Sequence, residues 1–182
     1  MSKLFSIFLE VGIVPSDFSL GITTPVPKYK GVRKNVSTDD FRAITVNPIV
    51  SKIFEHCLLP CLDNLTTSSR QFGFKKGVGC INSIHTVRKT VNYFNKNGST
   101  VNLGVIDLKK AFDKTSVFGI LHMLQCRDVN PNIIGVLQSW FSNSSIKVQW
   151  AGCLSQQVDL KSGVRQGGVC HLFYLLITLT LF

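Results

Sequence analysis

The stretch Val101–Lys114, VNLGVIDLKKAFDK, decides how this chain is read. Val101, Leu103 and Val105 alternate along it, the period of a half-buried strand, so Val101–Ile106 is predicted to be a strand central in a sheet. Asp107 closes that strand. A carboxylate taken out of bulk water at a strand end is costly unless a cation or donor satisfies it. On these residues alone two readings stand: a plain cap for the helix that follows, or an acid held for a cation. Phe112 and Asp113 follow, past Lys109 and Lys110. Asp113 reads as a helix-start or salt-bridge residue.

Working outward, Ser2–Val14 carries Leu4, Phe5, Phe8 and Leu9 at helical spacing, and Val14-Pro15-Ser16 ends it. Ile22–Tyr29 reads as a strand, and Pro25 and Pro27 predict an edge position. Lys28, Lys30, Arg33 and Lys34 make a basic loop, and Phe41–Val46 is the returning strand. Asn47-Pro48 opens a helix whose predicted buried stripe is Ile49, Val50, Ile53, Phe54, Cys57, Leu58, Cys61 and Leu62, with Lys52 and Glu55 outside and Pro60 kinking or ending it. The 81–97 segment is a helix stopped by Asn97-Gly98. Thr115 or Ser116 caps the next helix, and Asn130-Pro131 opens another with Ile133, Ile134, Leu137, Trp140 and Phe141 facing the core. Ser145–Trp150 and Leu154–Leu160 form a hairpin.

At 182 residues, 45% hydrophobic and 16% charged, the chain builds a packed core rather than a disordered coil. Its 20 Lys+Arg against 10 Asp+Glu, formally +10, suit a polyanionic partner. The cysteines at 57, 61, 80, 126, 153 and 170 show no Cys-x-x-Cys pairing, so neither a disulfide framework nor a zinc site on His56, Cys57 and Cys61 is expected. No signal peptide is read at the N-terminus, and the apolar tail is shorter than the about 20 residues a bilayer requires. The expectation is an intracellular protein, in cytoplasm or nucleus, with no membrane and no obligate protein partner.

IDLKKAFDK resembles the first palm motif of reverse transcriptases, in the form used by non-long-terminal-repeat (LINE-like) retrotransposons. SGVRQGGV (162–169) resembles the second palm motif, and TPVPKYKG (24–31), FRAITVNPIVSKIFE (41–55) and RQFGFKKG (70–77) resemble the finger motifs, all in the family's order. The resemblance implies an α+β chain with a partial right-hand polymerase fold: fingers and an incomplete palm, with antiparallel palm strands packed on helices. The 1–100 region would hold the N-terminal helix and fingers, and 101–182 the palm.

It also implies RNA-directed DNA polymerase activity in the intact family. Two divalent ions, magnesium here, would stabilise the attacking and leaving oxygens. Asp107 would be catalytic and would ligate metal, with the Leu108 carbonyl as a further oxygen. Lys28, Arg42, Phe112, Gln166 and Gly167 would meet the nucleotide, with Phe112 as the steric gate against a 2′-hydroxyl. Arg42 offers a planar fork for phosphate, although Ala43 replaces the family's proline. The bland alternative for Arg42 is a salt bridge to Asp39 or Asp40. Gln71, Phe72, Gly73, Phe74 and Lys75 would border the template, and Arg165 is a further candidate for phosphate contact. The implied partners are an RNA template, a DNA primer and deoxynucleoside triphosphates. Arg42 and Gln166 are expected to flank the cleft at Asp107.

The family's Tyr-x-Asp-Asp motif is not present, and Cys170-His171 stands where the pattern expects leucine and Ser-Pro, which reads as decay or a frameshift rather than a new site. The chain alone is therefore expected to be inactive as a polymerase. From other classes, a non-catalytic basic nucleic-acid-binding module is the alternative, and a membrane-associated basic protein comes last.

Overall fold

The structure, a computed structural model, describes residues 1–29, 31, 36–62, 68–73, 75 and 77–168. Lys30, Arg33, Lys34, Phe74, Cys170, His171 and the rest of the 169–182 segment lie outside the described residues. Helices α1 (Ser2–Val11), α2 (Ile49–Leu62), α3 (Cys80–Lys96), α4 (Ala111–Lys114), α5 (Val117–Cys126) and α6 (Pro131–Ser142) are joined by strands β1 (Leu20–Pro27), β2 (Phe41–Val46), β3 (Ser145–Trp150), β4 (Cys153–Leu154) and β5 (Val158–Asp159). The chain is a mixed α/β unit. None of the described helices is long and apolar enough to cross a membrane.

Local chemistry sets several boundaries. Ser116 caps α5, its Oγ accepting from the Gly119 amide at 3.1 Å. Asn130 caps α6, its Oδ1 accepting from the Asn132 amide at 2.9 Å, and Pro131 takes the first helical position, where no N–H is missed. Gly12, at φ 73°, closes α1 with its amide on the Phe8 carbonyl.

The core is aromatic. Phe5 and Phe8 of α1, Phe18, Phe54 of α2 and Trp140 of α6 meet with ring centroids 4.9–6.3 Å apart, mostly tilted or edge-to-face. Such pairs add about 0.5–1.5 kcal/mol each beyond burial. Ile133, Ile134, Val136 and Leu137 of α6 and Ile120 and Leu124 of α5 complete it.

The sheet runs β2-β1-β3-β4, with β5 also on β3. β1 therefore lies between β2 and β3, not at the edge that its prolines predict. The pairing explains why they are tolerated. β3 runs parallel to β1 only over Leu20–Thr23, so Pro25 and Pro27 sit where β2 alone is bonded. The Ser145–Trp150 hairpin forms as predicted, antiparallel to Cys153–Leu154 and Val158–Asp159. Because β3 joins the sheet of β1, one sheet serves both sides of residue 100.

Two further expectations fail. Residues 101–108 form no strand, and Val105 and Ile106 are 91% and 92% exposed. Alternation gives a segment the face of a strand but not a partner, and among the described strands none pairs with it. The stripe predicted for α2 holds at Phe54, Leu58 and Leu62 and fails elsewhere. Ser51, Phe54, Glu55, Leu58 and Leu62 are buried, whereas Ile49, Val50, Ile53, Cys57 and Cys61 are exposed. Apolar residues lie on more than one face of this helix, and the polar Ser51 and Glu55 are turned inward, so composition does not choose its phase. The Phe54 ring does, by entering the aromatic cluster. Pro60 sits inside the last turn.

Candidate nucleotide site

The two palm-like motifs are laced together through backbone. The Val164 amide donates to the Phe112 carbonyl at 2.8 Å, and the Gly163 amide to the Thr115 carbonyl at 3.1 Å. Gly163, at φ 81°, makes this approach possible: a Cβ there would lie 2.7 Å from the Asp113 carbonyl oxygen and 2.8 Å from that of Phe112. On the other side the Thr45 amide donates to the Gln166 carbonyl at 2.7 Å, within a single parallel bridge between Ile44 and Gln166. Gly167, at φ 127°, runs so close to the Thr45 carbonyl that no Cβ fits.

These contacts enclose a cavity of about 250 Å³ lined by Thr23, Ala43, Thr45, Asp113, Ser162 and Gln166, among others. The Thr23 and Thr45 hydroxyls are hydrogen-bonded at 2.9 Å. The cavity is below the about 300–1,000 Å³ of ordinary small-molecule sites. A volume of that size has room for a sugar-sized fragment rather than for a whole nucleotide.

Of the residues predicted from sequence, Gln166 lines this cavity and Gly167 adjoins it. Phe112 is half-buried, packed against the hydrophobic core, with its backbone held by Val164. Arg42 is exposed, and strand alternation sends it to the face opposite Ala43 and Thr45. The predicted flanking of one cleft by Arg42 and Gln166 therefore does not form. Asp107 and Leu108 lie on the exposed 101–108 segment, and Asp107 is not among the cavity's lining. Asp113 is, although the sequence marks it only as a helix-start residue. Its place beside Phe112, in the motif that the loop binds, was the available signal.

Lys28 is exposed, with its Nζ donating to the Asp39 carbonyl oxygen at 2.5 Å. The Asp39 carboxylate pairs with Lys110 at 2.7 Å, not with Arg42. That ion pair ties the turn after the 101–108 segment to the turn before β2. It holds the Asp39 carboxyl below the usual carboxylate range and the Lys110 ammonium above its usual value. Gln71, Phe72, Gly73 and Lys75 are half-buried in a self-bonded loop. The Gln71 amide donates to the Ser68 carbonyl at 3.0 Å, and Lys75 Nζ donates to the same carbonyl at 2.6 Å.

Arg165 corrects an expectation. It is 5% exposed, with Nη1 donating to the Ser19 carbonyl at 3.0 Å, and so does not face phosphate. Burial pushes its pKa down, and the charge of Glu55 pulls it back up. Glu55, predicted to lie on the outer side of α2, is 2% exposed.

Magnesium takes oxygen ligands, and the Asp107 carboxylate with the Leu108 carbonyl is a donor set of that kind. It is only a partial set, since among the described residues no three His, Cys, Asp or Glu side chains converge.

The described residues thus form a mixed α/β unit in which the Phe112–Thr115 turn is hydrogen-bonded to the Gly163–Val164 loop. The chain belongs to the reverse transcriptase (RNA-dependent DNA polymerase) family, whose sequence profile matches residues 26–177. It is 23% identical over 175 residues to a probable RNA-directed DNA polymerase from transposon X-element of Drosophila melanogaster, covering 93% of this chain and 19% of that protein. It is also 23% identical over 168 residues to the retrovirus-related Pol polyprotein from the type-2 retrotransposable element R2DM of Drosophila melanogaster, covering 92% of this chain and 16% of that one. The chain thus spans less than a fifth of the length of either relative.

Proposed function

We propose that this chain is a section of a retrotransposon RNA-directed DNA polymerase, comprising fingers and part of a palm, that engages an RNA template, a DNA primer and a deoxynucleoside triphosphate. The family match across residues 26–177 carries the reading. The lacing of Phe112 to Val164 and of Thr45 to Gln166 supports it, because it joins three of the motifs around one cavity. A divalent ion, magnesium by preference, would supply charge stabilisation at the reacting phosphate when held by Asp107 and Leu108. The protein's own residues bind and orient. Arg42 and Lys28 offer cations to phosphates, and Phe112 restricts the sugar. Gln166 addresses the base, and the 71–75 loop borders the template. Work on a nuclear or cytoplasmic nucleic acid is consistent with an intracellular setting.

The chain alone should bind but not polymerise, since Asp107 has no second carboxylate cluster beside it among the described residues. The test is anisotropy of a labelled RNA–DNA primer–template titrated with the 182-residue chain, beside an extension assay with magnesium and all four nucleotides. Expected are salt-dependent binding and no extended primer. Extension abolished by Asp107→Asn would overturn the inactivity, and an absence of nucleic-acid binding at low salt would overturn the reading itself.

A further inference from the structure

We propose that Arg165 is a positioning residue: its guanidinium, seated inside the domain on the Ser19 carbonyl, sets the register in which the loop carrying Gln166 and Gly167 lies along β2. The Gly163 and Val164 amides tie the start of the loop to Thr115 and Phe112, but along β2 it is held more lightly. Gln166 makes one isolated bridge, to Ile44, and one hydrogen bond, from the Thr45 amide. A single bridge specifies register weakly, and a slip by one residue would turn Gln166 away from the cavity.

Arg165 lies next to that bridge and points inward. A slip would drag a buried cation out of its seat and leave the Ser19 carbonyl without its donor, which makes the alternatives expensive. The seat is shaped for it. On β1, Gly21 leaves the room: a Cβ there would lie 2.9 Å from Arg165 Nη1 and 3.3 Å from Asn47 Oδ1. Ser19, Asn47 and Glu55 around it are all buried. The Ser19 hydroxyl, both amide atoms of Asn47 and Arg165 Nε have no hydrogen-bond partner among the described residues. A polar chamber with this much unused capacity contributes little to stability. Fixing one arrangement among several is the best-attested use of such buried polar groups.

The functional half of this inference rests on Gln166 meeting the nucleotide. The structural half does not. The test is amide hydrogen exchange of the full chain carrying Arg165→Met with Glu55→Met, a pair that leaves no lone buried charge. Expected are a retained thermal midpoint, exchange at the Thr45 amide faster by about tenfold, and unchanged exchange at Leu137 in α6. Should that variant not fold, Arg165→Lys, which keeps the charge but loses the planar fork, is read the same way. Unchanged Thr45 protection in a folded variant overturns the proposal.

Binding of magnesium–dTTP in the presence of primer–template gives the second readout. Gln166→Ala should weaken it, the Arg165 variant should weaken it equally, and combining them should add nothing. Additive losses overturn the register role. A wild-type chain that binds no nucleotide overturns the assignment of Gln166, and Thr45 exchange then decides the positioning role by itself.

Discussion

The Val164 amide and the Phe112 carbonyl oxygen are 2.8 Å apart, and through that bond the two most chemically suggestive stretches of the chain touch. The bond exists because Gly163, immediately before Val164, has no side chain to hold the strands of backbone apart. Gly163→Ala would combine a disfavoured φ of 81° with a contact against two backbone carbonyls that cannot rotate aside. A loss of about 2–3 kcal/mol is expected. Urea denaturation of the variant, read by tryptophan fluorescence, checks it.

Phe54 is 1% exposed and makes ring contacts with Phe5, Phe8, Phe18 and Trp140. Phe54→Ala should cost about 3–5 kcal/mol, as large-to-small changes of buried aromatics do. Cys57→Ser, on the exposed face of the same helix, should stay within about 0.5 kcal/mol. If the whole predicted stripe were buried, the Cys57 variant would be damaging as well. Equilibrium denaturation of both variants decides.

The Asp39–Lys110 pair makes two pH windows. The carboxyl's folded pKa is lowered, so its contribution is full above the unfolded carboxylate value of 3.8 and is lost as pH falls through the depressed one. The ammonium's is raised, so its contribution is full below 10.5 and is lost as pH rises through the elevated one. Lys110→Met should move the Asp39 carboxyl back up toward its ordinary value in an NMR titration. Both side chains are exposed to solvent, so the shift should also shrink in high salt. An unmoved Asp39 titration would show that the pair does not form in solution.

Removing the cations offered to phosphate should act uniformly. Arg42→Ala should weaken primer–template or nucleotide binding without changing stability, because Arg42 is exposed. A loss of about 1–2 kcal/mol in affinity is expected for a charge-assisted contact. A shifted melting temperature with unchanged affinity would instead mark Arg42 as part of the fold.

What could be read from the residues followed the range of the forces involved. The caps at Ser116 and Asn130-Pro131 were legible because a capping bond is made within one turn, and the hairpin after Ser145 because its turn is local. The phase of α2 was not, since it depends on where Phe5, Phe18 and Trp140 stand. The central place of β1 was hidden by prolines that occupy only its half-paired end. At the candidate site the motif drew attention to Gln166 and Gly167, which lie at the cavity, but not to Gly163. The inward turn of Arg165 was not, because its seat is built from Ser19, Gly21 and Asn47, far away in sequence.

Val105 and Ile106 have a consequence for anyone making this polypeptide. They leave branched aliphatics exposed on a segment that pairs with none of the described strands, and an unpaired apolar segment is a template on which identical segments from other molecules can stack. Self-association of the polypeptide at expression concentrations is the expected consequence.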